Sequence, residues 1–140
     1  MAESVSREKL RELHAAARQA AENAYVPYSG FRVGAALLTA GGTVFCGANV
    51  ENRSYGATIC AERSALCAAV SAGARDFQAL AVCTPDAGYP VPPCGICRQV
   101  ISEFLPPEAP VVYGNSWENA VFSSVSALYP EDSLRELAKH

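Results

Sequence analysis

The sequence predicts an α/β fold, a three-layer α/β/α sandwich around a five-stranded mixed sheet. Apolar residues first recur at helical spacing, and short apolar runs then alternate with alanine-rich helical segments. The resulting order is helix, strand, strand, helix, strand, helix, strand, strand, helix, which favours a mixed sheet with helices on both faces. A chain of 140 residues has the ordinary size of one domain, so residues 1–140 are expected to form a single unit.

The first three elements follow from periodicity and turn residues. The apolar residues of the first helix lie three or four positions apart: Leu10, Leu13, Ala17, Ala20 and Ala24. Ser4 or Ser6 is suited to cap its start, and Pro27 ends it. Residues 32–38 are apolar on both faces and predict a central strand, with residues 43–47 as its hairpin partner across a glycine turn.

The rest of the chain alternates between helices and strands. A polar loop is predicted at 49–59, a helix at 61–72 that Gly73 stops, and a buried parallel strand at 78–83. The remaining predicted elements are a loop at 84–93, a helix from about Cys94 that Pro106 closes, strands at 111–113 and 119–122, and a short helix from about Glu131. Five apolar residues of the helix from Cys94 are expected to face inward: Ile96, Val100, Ile101, Phe104 and Leu105.

Composition and charge restrict the class of protein. Half of the residues are hydrophobic, the net charge is −3, and Lys and Arg are scattered rather than clustered, which argues against a nucleic-acid partner. No apolar run has the length of a membrane span, and the N-terminus lacks the apolar core of a signal peptide, so we expect a cytoplasmic location and no membrane partner.

Six cysteines in such a chain indicate metal or redox chemistry more than disulfides. Cys46, Cys67 and Cys83 lie in apolar surroundings, and we interpret them as small core residues.

Two short motifs supply the remaining cysteines together with a carboxylate. Cys60-Ala61-Glu62 opens one predicted helix, and Pro93-Cys94-Gly95-Ile96-Cys97 opens the next. Helix N-termini favour thiolates, and three protein ligands leave the fourth position of a zinc ion to water. The pattern therefore predicts a catalytic zinc site with Cys60, Cys94 and Cys97 as ligands and Glu62 as the proton-transfer group.

The charge of this site calls for compensation. A Zn²⁺ ion with three thiolates carries a net charge of about −1, which weakens its effect on bound water. Arg63 and Arg98 each follow a site residue, and at least one is expected to donate hydrogen bonds to the ligand sulfurs, with Arg63 preferred and a surface salt bridge as the alternative for Arg98. A structural zinc knuckle or a redox pair is the alternative for the whole cluster.

Beyond these motifs, the chain resembles the small cytidine deaminases of free-nucleoside metabolism. The resemblance rests on five segments: Ala24-Tyr25-Val26-Pro27-Tyr28-Ser29, Phe31-Arg32-Val33-Gly34-Ala35-Ala36-Leu37, Gly47-Ala48-Asn49-Val50-Glu51-Asn52 with Tyr55, Cys60-Ala61-Glu62-Arg63, and Pro93-Cys94-Gly95-Ile96-Cys97-Arg98-Gln99-Val100. It covers about half of the chain.

The resemblance implies one Zn²⁺ per subunit and hydrolytic deamination of cytidine and deoxycytidine in pyrimidine salvage. A zinc-bound water would lose its proton to Glu62, the resulting hydroxide would attack C4 of the pyrimidine, and Glu62 would pass the proton to N3 and assist the departure of ammonia.

The resemblance also implies roles in substrate binding. Asn49 and Glu51 would hold the ribose, Phe31 would pack on the pyrimidine, and the backbone of Ala61 would read the base edge. Tyr28 and Tyr55 occupy positions that complete the pocket. The family implies a homotetramer with pockets shared between subunits, in which Leu128 or Tyr129 caps a neighbour's pocket.

Other functions stay open at this point. The nearest is deamination of a modified cytosine nucleoside or a cytosine-bearing antibiotic, because residues 53–58 and the C-terminal part depart from many relatives. A non-catalytic zinc-binding module is the alternative from another class. Deamination of a polynucleotide is disfavoured by the charge and by the absence of a basic aromatic groove.

Overall fold

The computed structural model describes residues 4–137 as a five-stranded mixed sheet between two helical layers. The strands are β1 (Gly34–Thr39), β2 (Val44–Ala48), β3 (Phe77–Cys83), β4 (Pro110–Gly114) and β5 (Val121–Ser124), in the spatial order β2-β1-β3-β4-β5. The parallel pair is β3 with β4, and the other neighbours are antiparallel. The predicted α/β/α class and the five mixed strands are confirmed.

The helices are α1 (Arg7–Ala20), α2 (Ala61–Ser71), α3 (Gly95–Phe104) and the short α4 (Val125–Leu128). The Ser6 side chain caps α1, accepting the Lys9 N–H at 3.0 Å. Within residues 4–137, 3₁₀ turns cover 21–23, 55–57 and 135–137. No helix among the described residues is long and apolar enough to cross a membrane.

Side chains alternate between the two faces of the sheet along each strand, so the buried residues form two layers of core. On β3, Leu80 and Val82 pack with α2 and α3, whereas Ala81 and Cys83 pack with α1. The layers approach closely: a Cβ added at Gly47 of β2 would lie 2.4 Å from the backbone nitrogen of Ala65 in α2. The N-terminus of α2 is thereby held against the sheet.

Three expectations from the sequence are wrong. Ile96 is 63% exposed, because it lies in the first turn of α3 with its side chain away from the sheet. Cys46 and Cys67 are exposed, and only Cys83 of the three proposed core cysteines is buried. No regular helix begins at Glu131 within the described residues. A 3₁₀ turn at 135–137 takes its place, and residues 138–140 lie outside the described part of the chain.

Candidate active site

A cavity lies between the sheet and the N-termini of α2 and α3. Its volume is about 170 Å³, and it opens to solvent on one side. The sheet contributes Val82 of β3 and the residues just outside the strand ends, and the helix starts contribute the thiols of Cys60 and Cys94 and the carboxyl group of Glu62. The lining consists of Phe31, Val33, Asn49, Thr58, Cys60, Ala61, Glu62, Val82, Thr84, Val91, Pro92 and Cys94.

Three thiols converge at this cavity. Cys60 is the N-cap residue of α2, Cys94 is the N-cap residue of α3, and Cys97 lies in the first turn of α3. The three sulfur atoms lie within 4.8 Å of one another, and the Sγ atoms of Cys60 and Cys94 are 3.8 Å apart. Thiolates bound tetrahedrally to zinc at about 2.3 Å are themselves about 3.8 Å apart. The cluster therefore fits a zinc ion without rearrangement of the two helices.

The local electrostatics favour a thiolate in this cluster. Hydrogen bonding from Cys97, and then from Arg63 and Cys94, lowers the pKa of the Cys60 thiol to about 5 against the opposing effect of burial. Hydrogen bonding to Cys60 and burial raise the pKa of Cys97. One thiolate thus forms readily at Cys60, whereas a bound cation would be needed to favour the thiolate of Cys97.

Glu62 is buried beside the thiols. The residue is 4% exposed in the first turn of α2, and burial raises the pKa of its carboxyl group to about 7. A group with a pKa near neutrality can both accept and donate a proton during one reaction cycle.

The two arginines of the motifs contact different partners. Arg63 Nη2 donates to Cys60 Sγ at 3.5 Å and to the Thr58 carbonyl oxygen at 3.4 Å. Arg98 donates instead to the carbonyl oxygens of Pro93 and Leu128, at 2.8 and 3.0 Å. The structure therefore brings Arg63 to a sulfur, whereas Arg98 joins the start of α3 to the end of α4.

Asn49 lines the cavity and also holds its wall. Its Oδ1 accepts the Val33 N–H at 2.8 Å, and its Nδ2 donates to the Phe31 carbonyl oxygen at 2.9 Å. One amide hydrogen and one lone pair of this side chain remain for a ligand.

The structure does not bring Tyr28, Glu51 and Tyr55 into the lining of the cavity formed by the described residues. The Glu51 carboxylate accepts the backbone N–H groups of Tyr28 and Ser29 and the Ser29 hydroxyl. The rings of Tyr28 and Tyr55 meet edge to face at 6.3 Å on the surface.

The two candidate capping residues lie at the end of α4. The Tyr129 hydroxyl donates to Gln99 Oε1 at 2.7 Å within the same chain, and Leu128 packs against the core on the α2 and α3 side of the sheet.

Sequence reasoning did not single out six lining residues, which are Val33, Thr58, Val82, Thr84, Val91 and Pro92. The apolar members carry no chemical signal. Thr84, however, directly follows the buried strand β3, and ligands of α/β proteins bind beyond the carboxyl ends of such strands.

The three-layer fold, the three-thiol cluster and the buried carboxylate together define a metal-dependent enzyme of the α/β class. The model of the cytidine and deoxycytidylate deaminase zinc-binding region matches residues 7–114. The chain belongs to this family, and its cofactor is zinc.

Individual relatives agree over most of the chain. The cytidine deaminase of Halalkalibacterium halodurans is 54% identical over 112 residues, which are 80% of this chain and 84% of that protein. The cytidine deaminase of Sporosarcina psychrophila is 49% identical over 121 residues, covering 86% and 88%. The crystal structure of cytidine deaminase from Burkholderia pseudomallei superposes with a TM-score of 0.83 at 45% identity, covering 91% of this chain and 98% of that one.

Proposed function

We propose that this protein hydrolyses free cytidine and deoxycytidine to uridine and deoxyuridine with release of ammonia, as part of pyrimidine salvage. The observation that carries the proposal is the position of Glu62, a buried carboxyl group in the same cavity as Cys60 and Cys94. The names of the relatives, which are cytidine deaminases, support the choice of substrate.

The proposed reaction assigns one role to each group. Cys60, Cys94 and Cys97 hold the zinc ion, which when bound supplies a Lewis acid that makes water a nucleophile at neutral pH. Glu62 takes a proton from the attacking water and passes it to N3 of the pyrimidine as the new C–O bond forms at C4. Glu62 then moves the proton of the new C4 hydroxyl to the 4-amino group, the C4–N bond breaks as the C4 carbonyl forms, and ammonia leaves.

Substrate binding is assigned to the same cavity. Phe31 packs on the base, and the backbone of Ala61 hydrogen-bonds the base edge. Asn49 uses its remaining amide atoms for a ribose hydroxyl, and Glu51, which lies outside the lining two residues further along the chain, contacts the ribose at the edge of the cavity. Arg63 offsets the negative charge of the thiolates through its contact with Cys60.

An ultraviolet assay tests the proposal. The zinc-loaded protein should contain one zinc per chain and should lower the absorbance of cytidine and deoxycytidine solutions as ammonia appears. Glu62→Gln should keep zinc and fold but lose turnover by about 10²–10⁴-fold. Near-normal turnover in this variant would contradict the role of Glu62, and faster turnover of a cytosine-bearing antibiotic than of cytidine would replace the proposed substrate.

We also infer that the chain assembles as a homotetramer whose pockets are completed by neighbours. An exposed apolar surface beside the cavity supports this inference: Tyr25, Tyr28, Val50, Tyr55 and Ile59 are 57%, 52%, 46%, 79% and 38% exposed. Exposed apolar surfaces of this kind mark interaction sites in soluble proteins. Sedimentation at micromolar concentration tests the assembly, and a monomer would contradict it. The cytoplasmic location stays a prediction.

A further inference from the structure

Thr84 is fixed at the floor of the cavity by its position after β3. Side chains alternate along a strand, so Thr84 shares the face of Val82, which packs with α2, and not that of Cys83, which packs with α1. The register that pairs Gly34 with Cys83 sets Thr84 beside Val33. Both backbone groups are engaged: the N–H donates to the Gly114 carbonyl oxygen at 3.3 Å, and the carbonyl accepts the Ala87 N–H at 3.1 Å.

The side chain of Thr84, in contrast, has no hydrogen-bond partner among the described residues. The residue is 2% exposed, and its Oγ1 makes no hydrogen bond within residues 4–137. The other buried unpaired atoms of this region, Arg63 Nε and Asn115 Oδ1, belong to side chains in which another nitrogen atom does hydrogen-bond. Leaving a buried hydroxyl unpaired destabilises the folded state, because its hydrogen bonds to water are lost without replacement. A ligand that supplies the missing partner would account for its presence.

The cavity around this hydroxyl has apolar walls. Val33 and Val82 flank Thr84, and the hydroxyl of the second lining threonine, Thr58, already accepts the Asn52 N–H at 3.2 Å. A pyrimidine that reacts beside Glu62 must enter between these walls, because its reacting carbon belongs to the base. The base also carries hydrogen-bonding atoms on its edge, which these apolar side chains cannot satisfy.

We propose that the Thr84 hydroxyl hydrogen-bonds the base of the bound nucleoside and thereby contributes to substrate positioning. This inference rests on the proposed function, because it takes a pyrimidine nucleoside as the ligand. Thr84 is thus a binding residue of the cavity, and its unpaired hydroxyl is a stability cost that the substrate removes.

Thr84→Val tests the inference, because valine keeps the shape of threonine without the hydroxyl. We expect kcat/KM for cytidine to fall about three- to tenfold, mainly through KM, since one hydrogen bond to the substrate is lost. The melting temperature should stay unchanged or rise, since the unpaired hydroxyl is gone. Zinc content should not change, and Thr84→Ser should restore KM.

Thr39→Val is the matched control. Thr39 is also buried, but its Oγ1 accepts the Thr43 N–H at 3.0 Å, far from the cavity. Its replacement should lower the melting temperature and leave KM unchanged, the reverse of the pattern expected at Thr84.

The outcomes separate the possible failures. An inactive wild-type protein would refute the proposed function itself. If the wild type is active but the KM of Thr84→Val is unchanged, the role of Thr84 is overturned. This holds also where the melting temperature of the variant falls. Because deoxycytidine lacks only the 2′-hydroxyl, a loss seen with cytidine alone would place the contact on the ribose and overturn the assignment to the base.

Discussion

Arg32 and Asp86 form a forked ion pair, with Nη2 to Oδ1 at 2.7 Å and Nε to Oδ2 at 3.0 Å. The backbone N–H of Arg32 also donates to Oδ2 at 2.9 Å, and Nη1 reaches Glu22 at 3.0 Å. The segment that carries Phe31 is thereby joined to the loop after β3, which leads to Cys94. Two walls of the cavity are held together by one carboxylate.

Replacing Asp86 by Asn should lower the free energy of unfolding by about 1 kcal/mol, because the pair is partly exposed to screening solvent. KM for cytidine should rise several-fold as the two walls separate. Urea unfolding and steady-state kinetics measure the two effects. Asp76→Asn is the control, because Asp76 is exposed and forms no ion pair among the described residues; an equal loss there would contradict the assignment.

The contribution of Asp86 should also depend on pH. Hydrogen bonds from Arg32 lower the pKa of this carboxyl group to about 2. A carboxyl group with a lowered pKa stabilises the folded state above its unfolded pKa, and this stabilisation disappears as the pH falls through the folded value. The stability difference between wild type and Asp86→Asn should therefore shrink as the pH falls from about 5 to about 2. A difference that is constant over this range would show that the charge of Asp86 is not the cause.

Arg63→Gln should weaken the zinc site without unfolding the protein. The side chain donates to Cys60 Sγ, and removing such a contact to a ligand lowers metal affinity or activity about 10–100-fold. The rate of zinc release to a chelator and kcat measure this effect. Arg75→Gln is the matched control, because Arg75 donates only to the carbonyl oxygens of Val70 and Ala74 at the other end of α2. Equal zinc release in both variants would rule out the role of Arg63.

Gly47→Ala should disturb both fold and activity. The added Cβ would lie 2.4 Å from the Ala65 nitrogen and 2.8 Å from the Ala61 oxygen, so that α2 must move away from β2. We expect a loss of about 1–3 kcal/mol in unfolding free energy, together with lower kcat, because α2 carries Glu62. Gly88→Ala, where an added Cβ meets nothing within 4 Å, should behave like wild type. A fully stable and active Gly47→Ala protein would contradict the tight contact.

Glu51→Gln and Ser29→Ala separate anchoring from substrate binding. Both changes weaken the contact between the carboxylate and residues 28–29, but only the first removes the charge proposed to face the ribose. We expect KM for cytidine to rise about tenfold in Glu51→Gln and clearly less in Ser29→Ala. Equal KM values in the two variants would mean that Glu51 acts only by holding this segment.

The sequence predicted the elements that have strong local signals. The cysteine spacing indicated a metal site because Cys94 and Cys97 must share a helix face, and the apolar runs indicated the five strands. Local patterns predicted the wrong burial for Ile96, since a residue in the first turn of a helix can be apolar and still point to solvent. They also misjudged Cys46 and Cys67, because burial depends on what packs against an element.

What the sequence by itself determined is the chemistry of the site: three thiols, a carboxylate two residues after the first of them, and an arginine next to it. Only the tertiary structure decided which side chains share the cavity. The unpaired Thr84 hydroxyl and the Arg32–Asp86 pair both depend on groups far apart in the chain. The register of β1 on β3 and the closeness of α2 to β2 bring such groups together, and no local pattern encodes either one.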